Sequence, residues 1–179
     1  MVRRTGRLDQ MRSRLKLWRA RKVGENVRVI GRIWVYGGGR IEIGDRVLFD
    51  ASACPIELHV KEEAALIIGD DVEIHGGTSI EATARVTIGS GVHIGPYCKV
   101  MDNHWHPLRG DRRQRPESSP VVIGDRVTLG RKVILLPGVM IGDDTRVLDA
   151  SVVSRSLPPN VTAQGFPSRP VKKKELGRI

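Results

Sequence analysis

Five histidines are the side chains in this chain best suited to moving a proton near neutral pH: His59, His75, His93, His104 and His106. An imidazole has an ordinary pKa of ~6.5, so its neutral form can take the proton from a hydroxyl that attacks a carbonyl carbon. His104 and His106 stand apart from the other three. They fall in Met101-Asp102-Asn103-His104-Trp105-His106-Pro107-Leu108, followed by the basic run Arg109-Gly-Asp-Arg-Arg-Gln-Arg115. Cys54 and Cys98 are widely spaced and form no metal-ligand pair or disulfide framework, so both read as reduced, small apolar residues. No Cys or Ser nucleophile stands beside the two histidines, which favours direct transfer over a covalent relay.

The scaffold that must hold these histidines is a repeat. One pentapeptide returns as Val23-Gly-Glu-Asn-Val27, Ile43-Gly-Asp-Arg-Val47, Ile68-Gly-Asp-Asp-Val72, Ile88-Gly-Ser-Gly-Val92, Ile123-Gly-Asp-Arg-Val127 and Ile141-Gly-Asp-Asp-Thr145. The intervals are 20, 25, 20, 35 and 18 residues. Within them runs a finer step of six: Ile123, Leu129, Leu135, Ile141, Val147 and Val153; Ile68, Ile74, Ile80 and Val86; Ile88, Ile94 and Val100. A period of six is neither a helix nor a simple strand. It predicts triangular coils of three short strands and three corners, stacked at ~4.8 Å. The residue at each step of six points inward, as do Val127, Val133 and Val139. The Gly or polar residue after it lets the chain turn. A composition of 40% hydrophobic but only 4% aromatic residues suits such a thin aliphatic core.

The interval of 35 exceeds one coil by a loop at about His104–Pro120, and long loops in compact domains are usually functional. The interval of 25 predicts a bulged corner around Ala53–Ala65. The order is therefore a basic helix at 1–22, coils over 23–156 with the inserted loop 104–120, and an extension at 157–179.

Nine cations against the single Asp9 occupy the first 22 residues and account for most of the net charge of +10. Leu8, Met11, Leu15 and Trp18 recur at helical spacing and predict one apolar face. That face packs on its own domain or a neighbouring subunit in one reading, and rests on an anionic membrane surface in another. No nucleic-acid motif accompanies the charge, so no nucleic-acid partner is expected. No apolar run reaches the ~18 residues of a membrane span, and the first residues lack the apolar core of a signal peptide. A cytoplasmic protein, at most peripheral to the inner face of a membrane, is expected.

The repeats, together with Pro120–Gly142 and the ending Ser151-Val-Val-Ser-Arg-Ser-Leu-Pro-Pro-Asn160 and Gly165-Phe-Pro-Ser-Arg169, carry a resemblance. Over roughly residues 23–172 the chain resembles the hexapeptide-repeat acyltransferases, whose fold is an all-β, left-handed parallel β-helix. Sugar acetyltransferases of that family, of the galactoside and maltose type, place their base in a His-Pro on the loop that leaves the coil. The resemblance thus implies His106 as base, with His104 as the alternative or as a contact to the acceptor. A branch acting on surface polysaccharides has an Asp four residues before that His, which Asp102 matches. Asp102 or Asn103 would hold the second imidazole nitrogen; the competing reading makes Asp102 a corner cap.

The resemblance also implies acetyl-coenzyme A as donor, with no metal required. The family's coenzyme A contacts fall on Arg131, Asp149, Ser154, Arg155, Arg169 and Lys172. Arg131 and Asp149 depart from the usual small residues, and Thr128 stands where relatives often carry tryptophan. A homotrimer with active sites between subunits and a saccharide acceptor completes the expectation. Three other readings stay open: an N-acetyltransferase on an amino sugar, a non-catalytic β-helical assembly subunit, and a zinc carbonic anhydrase. The last needs two histidines in one late coil, and Val127–Leu136 has none.

Overall fold

The computed structural model describes residues 7–104, 111, 113 and 116–171, with side chains from Gln10 onward. A short helix, Arg7–Lys16, leads into a solenoid of parallel strands with three faces. Face one stacks Lys22–Val23, Arg40–Ile43, Ala65–Ile68, Arg85–Ile88, Val121–Ile123 and Met140–Ile141. Face two begins with the first half of Arg28–Tyr36 and of Leu48–Val60. It continues through Glu73–His75, His93–Ile94, Thr128–Leu129, Arg146–Val147 and Thr162–Gly165. Face three takes the second halves of the same two long strands, then Ser79–Ala82, Lys99–Met101, Ile134–Leu135 and Val152–Val153. The chain closes with Ser168–Pro170, antiparallel to Thr162–Gly165.

The period of six sets the core. Ile123, Leu129, Leu135, Ile141, Val147 and Val153 are all buried, as are Val127, Val133 and Val139 between them. Phe49 is the one aromatic ring in this buried cluster. Each fully buried aliphatic side chain contributes ~1.5–3 kcal/mol, so stability accrues coil by coil.

The repeated glycine does its work by closeness rather than by dihedral freedom. A Cβ on Gly44 would sit 2.3 Å from Asp70 Oδ1 and 2.6 Å from the carbonyl oxygen of Gly69 in the next coil. The left-handed backbone comes two residues later, at Asn26, Arg46, Asp71, Gly91, Arg126 and Asp144, with φ between 55° and 68°. The residue between completes a ladder. Asp45 Oδ1 accepts the N–H of Glu25 (2.8 Å), Asp70 Oδ1 that of Asp45 (2.8 Å), and Ser90 Oγ that of Asp70 (3.1 Å). Asp125 and Asp143 continue it to Ser90 and Asp125, both at 2.8 Å.

The extra length of the second coil falls around Ala53–Ala65: the strand Leu48–Val60 shifts register between Ala51 and Ile56, and a further turn occupies Lys61–Ala64. One expectation needs correction, that of the helix, which ends at Lys16 rather than running to residue 22. Among the described side chains, Gln10, Ser13, Lys16 and Leu17 dock it, with Lys16 Nζ donating to the carbonyls of Val29 and Gly31 at 3.1 and 2.7 Å. Ser13 Oγ accepts the Val29 N–H at 3.0 Å and Leu17 is buried. Met11, Leu15 and Trp18 face solvent at 68%, 75% and 70% exposure. Among the described residues no helix is long and apolar enough to cross a membrane.

Candidate active site

The loop departs from the third corner of the fourth coil, between faces three and one, where Met101 ends its strand and Val121 begins the next. Asp102 fixes the departure. Its side chain is fully buried, and its carboxylate accepts the N–H groups of Thr83 (2.8 Å), Ala84 (2.7 Å) and Arg85 (2.8 Å) and the hydroxyl of Thr83 (2.9 Å). These are the half-buried amides of the corner one coil earlier, which find their acceptor in this side chain. The same residue ties the returning end of the loop, because its carbonyl accepts the Ser119 N–H at 2.8 Å. Asn103 is buried beside it and donates to Asp102 Oδ1 at 3.4 Å. The described bonds of the Asp102 carboxylate thus serve the corner, while His104 beyond it is exposed. His106 lies outside the described residues.

Two hollows of about 220 Å³ each meet at the root of this loop. One is bordered by Asn103, His104, Pro116 and Ser118, the other by Tyr36, His59 and Glu81, and Lys61 and Thr83 border both. Register explains the second group. Tyr36, His59, Glu81 and Met101 are direct neighbours on four successive coils, at the last outward position of face three. The rings of Tyr36 and His59 stack at 4.6 Å with planes 24° apart. Glu81, nearly buried, holds Lys99 Nζ at 3.0 Å. An apolar ring platform edged by a carboxylate, an ammonium and a hydroxyl suits a ligand with one flat C–H face and many hydroxyls. The sequence reading missed Tyr36, Lys61 and Glu81. Register across the coils places Tyr36 and Glu81 in the column of His59, and Lys61 lies two residues beyond that histidine. The larger hollow, about 430 Å³, lies between the N-terminal helix and the first coil and belongs to helix docking.

The residues proposed for the donor form separate groups. Arg131 and Asp149 meet at the second corner of the fifth and sixth coils, where Asp149 Oδ1 accepts the Arg131 N–H at 2.9 Å. Ser154 and Arg155 are exposed at the third corner of the sixth coil. Arg169 is exposed on the closing strand, opposite Gln164. Lys172 lies outside the described residues. Thr128 faces outward on face two, between His93 and Arg146. Cys98 is buried and donates to the Gly130 carbonyl at 3.0 Å; burial pushes its thiol up to about 11, so it is no nucleophile at neutral pH.

No family model matches the chain. Among curated proteins, the putative lipopolysaccharide biosynthesis O-acetyl transferase WbbJ of Escherichia coli K12 is 31% identical over 150 residues, 78% of this chain and 75% of its own length. Galactoside O-acetyltransferase of the same organism is 38% identical over 90 residues, 49% of this chain; the match spans only 44% of that relative's length. A solved galactoside acetyltransferase in complex with coenzyme A superposes with a TM-score of 0.64 at 29% identity, covering 91% of this chain and 70% of that one.

Proposed function

The chain belongs to the hexapeptide-repeat acetyltransferase family, and from that premise we propose that it transfers an acetyl group from acetyl-coenzyme A to a hydroxyl of a saccharide. The acceptor class is a surface polysaccharide or a lipid-linked sugar precursor. The observation that carries this reading is the double hollow at the loop root, with the stacked Tyr36–His59 rings on one side and His104 on the other. It offers a sugar both a platform and hydrogen-bonding side chains, directly beside the segment that bears the histidines.

In this reading the coils wind left-handed and three chains associate about a common axis, so that the loop of one overhangs the late coils of the next. Acetyl-coenzyme A supplies the activated acetyl group as a thioester. Arg155, Arg169 and Lys172 provide positive charge for its phosphates, and Arg131 and Ser154 provide further polar contacts. Asp149 already accepts the Arg131 amide, and as an anion it would meet an N–H of the donor rather than a phosphate. His106 takes the acceptor hydroxyl proton as its oxygen attacks the acetyl carbon, and returns a proton to the departing sulfur. Backbone N–H groups receive the charge that develops on the carbonyl oxygen. Asp102 contributes by holding both ends of the loop, which sets where the imidazole can reach. The exposed stripe Met11, Leu15 and Trp18 amid cations supports a peripheral contact with anionic lipid, where a lipid-carried sugar would be found.

Two measurements test the reading. Isothermal titration with coenzyme A is expected to show binding well below millimolar concentration, and silence there overturns the donor. Release of free thiol from acetyl-coenzyme A should rise when saccharides with free hydroxyls are added. Stimulation confined to amino sugars would instead establish N-acetylation, and no stimulation by any sugar would favour an assembly role.

A further inference from the structure

Face two carries a group of side chains that the acyl-transfer reading does not use. Glu73 and His93 are paired in register on adjacent strands of the third and fourth coils. His75 lies two residues beyond Glu73 on the same strand, and therefore projects from the same side of the sheet. The three converge: Glu73 Oε1 is 3.1 Å from His75 Nε2, and Glu73 Oε2 is 3.5 Å from His93 Nδ1. The two imidazole rings sit 4.9 Å apart with their planes tilted by 55°. The Nε2 atom of His75 is buried, and its 3.1 Å approach to Glu73 Oε1 lacks the direction of a hydrogen bond.

We propose that Glu73, His75 and His93 form a three-ligand site for a divalent transition metal ion of the zinc type, with the fourth position open to solvent. The spacing fits. A tetrahedral ion with bonds of about 2.0–2.1 Å holds its ligand atoms roughly 3.3–3.4 Å apart. With one ligand atom from each residue, the three lie within 4.8 Å of one another, and the two oxygens of Glu73 approach His75 and His93 to 3.1 and 3.5 Å. Two imidazoles and one carboxylate select zinc, cobalt, nickel or copper over magnesium and calcium, which demand oxygen ligands. Asp50, in register with His75 on its other side, accepts the Ser52 N–H at 3.1 Å. Half of the Glu73 and His93 side-chain surface remains open, which leaves room for water or a ligand atom on the ion. The ion would also join two coils by a bond that backbone pairing does not supply. None of this depends on the acetyl-transfer reading.

The test uses the full chain, free of affinity tags and stripped with chelator, titrated with zinc chloride at neutral pH. One ion per chain with micromolar or tighter affinity is expected. His75→Ala and His93→Ala should each weaken binding by at least about tenfold, the loss that even supporting residues of metal sites cause. Glu73→Gln, which keeps shape and removes charge, should do the same, and circular dichroism of each variant checks that the fold persists. Cobalt loaded in place of zinc should give the strong visible absorption of a four-coordinate site, lost in the variants. Absence of zinc binding at submillimolar concentration overturns the proposal. So does binding that survives all three substitutions but disappears in His104→Ala, or binding of magnesium as tight as that of zinc.

Discussion

Thr83 gives both its backbone N–H and its hydroxyl to the carboxylate of Asp102, nineteen residues further along the chain. The partner is buried and also serves Ala84 and Arg85, so one side chain satisfies a whole corner. Removing it in Asp102→Ala takes the acceptor from several half-buried donors at once. A loss of about 1–3 kcal/mol is expected, since water reaches part of this corner. Thermal melting measures it, and an unchanged melting temperature would remove Asp102 from this role.

His106→Ala should behave in the opposite way. Turnover is expected to fall by ~10²–10⁴, the usual contribution of a positioned base, with no change in melting temperature. Steady-state kinetics beside a melting curve separates the two substitutions. A variant that keeps most of its activity would return the role to His104.

Tyr36→Ala tests the platform. Aromatic stacking contributes ~0.5–1.5 kcal/mol, so the KM for the saccharide should rise roughly two- to tenfold while kcat stays near its original value. A change in the KM for acetyl-coenzyme A instead would place the donor, not the acceptor, in this hollow.

Acid should loosen the first corners. Arg46 grips Asp71 through two bonds of 2.6 and 2.7 Å, and Arg126 grips Asp144 at 2.7 and 2.8 Å. The hydrogen bonds from these guanidiniums, reinforced by their charge, hold both carboxyls below the ordinary aspartate range. A depressed folded pKa means that the added stability is present above the unfolded pKa of about 3.9 and is lost as pH falls through the folded one. Melting temperature should therefore decline more steeply below about pH 4 in the native chain than in the double variant Asp71→Asn, Asp144→Asn. Both pairs are exposed, so the difference at neutral pH should be small and should shrink with salt.

Vesicle co-sedimentation tests the helix. Binding to vesicles rich in anionic lipid, weak binding to neutral ones and release by high salt are expected. Replacing Met11, Leu15 and Trp18 by Ser should reduce it without altering the melting temperature, since these side chains already face solvent. Equal binding to neutral vesicles would contradict the electrostatic part.

The step of six was legible because each inward position faces one requirement, an aliphatic side chain in a narrow prism. Ile123 through Val153 met it without exception. The outward columns were not legible in the same way. Tyr36, His59 and Glu81 are 23 and 22 residues apart, unequal steps that only the true coil lengths bring into line. The helix misled for a different reason. Its regular apolar stripe suggested an inward face, whereas a small Ser that accepts one strand amide, a Lys that donates to two strand carbonyls and a single Leu make the contact. Glycine misled more gently: its place in the repeat was plain, but the reason is the approach of the next coil's aspartate, not a left-handed bend.

The carboxylate ladder along the first corner runs one way. Each rung is lent by a later coil to the amide of the one before it. The backbone answers in the opposite sense, since the carbonyls of Glu25, Asp45, Asp70, Ser90 and Asp125 accept the N–H groups of Arg46, Asp71, Gly91, Arg126 and Asp144 in the following coil. Peeling a coil from either extremity therefore leaves an amide of its neighbour without an acceptor, so the stack is latched against unwinding from both ends.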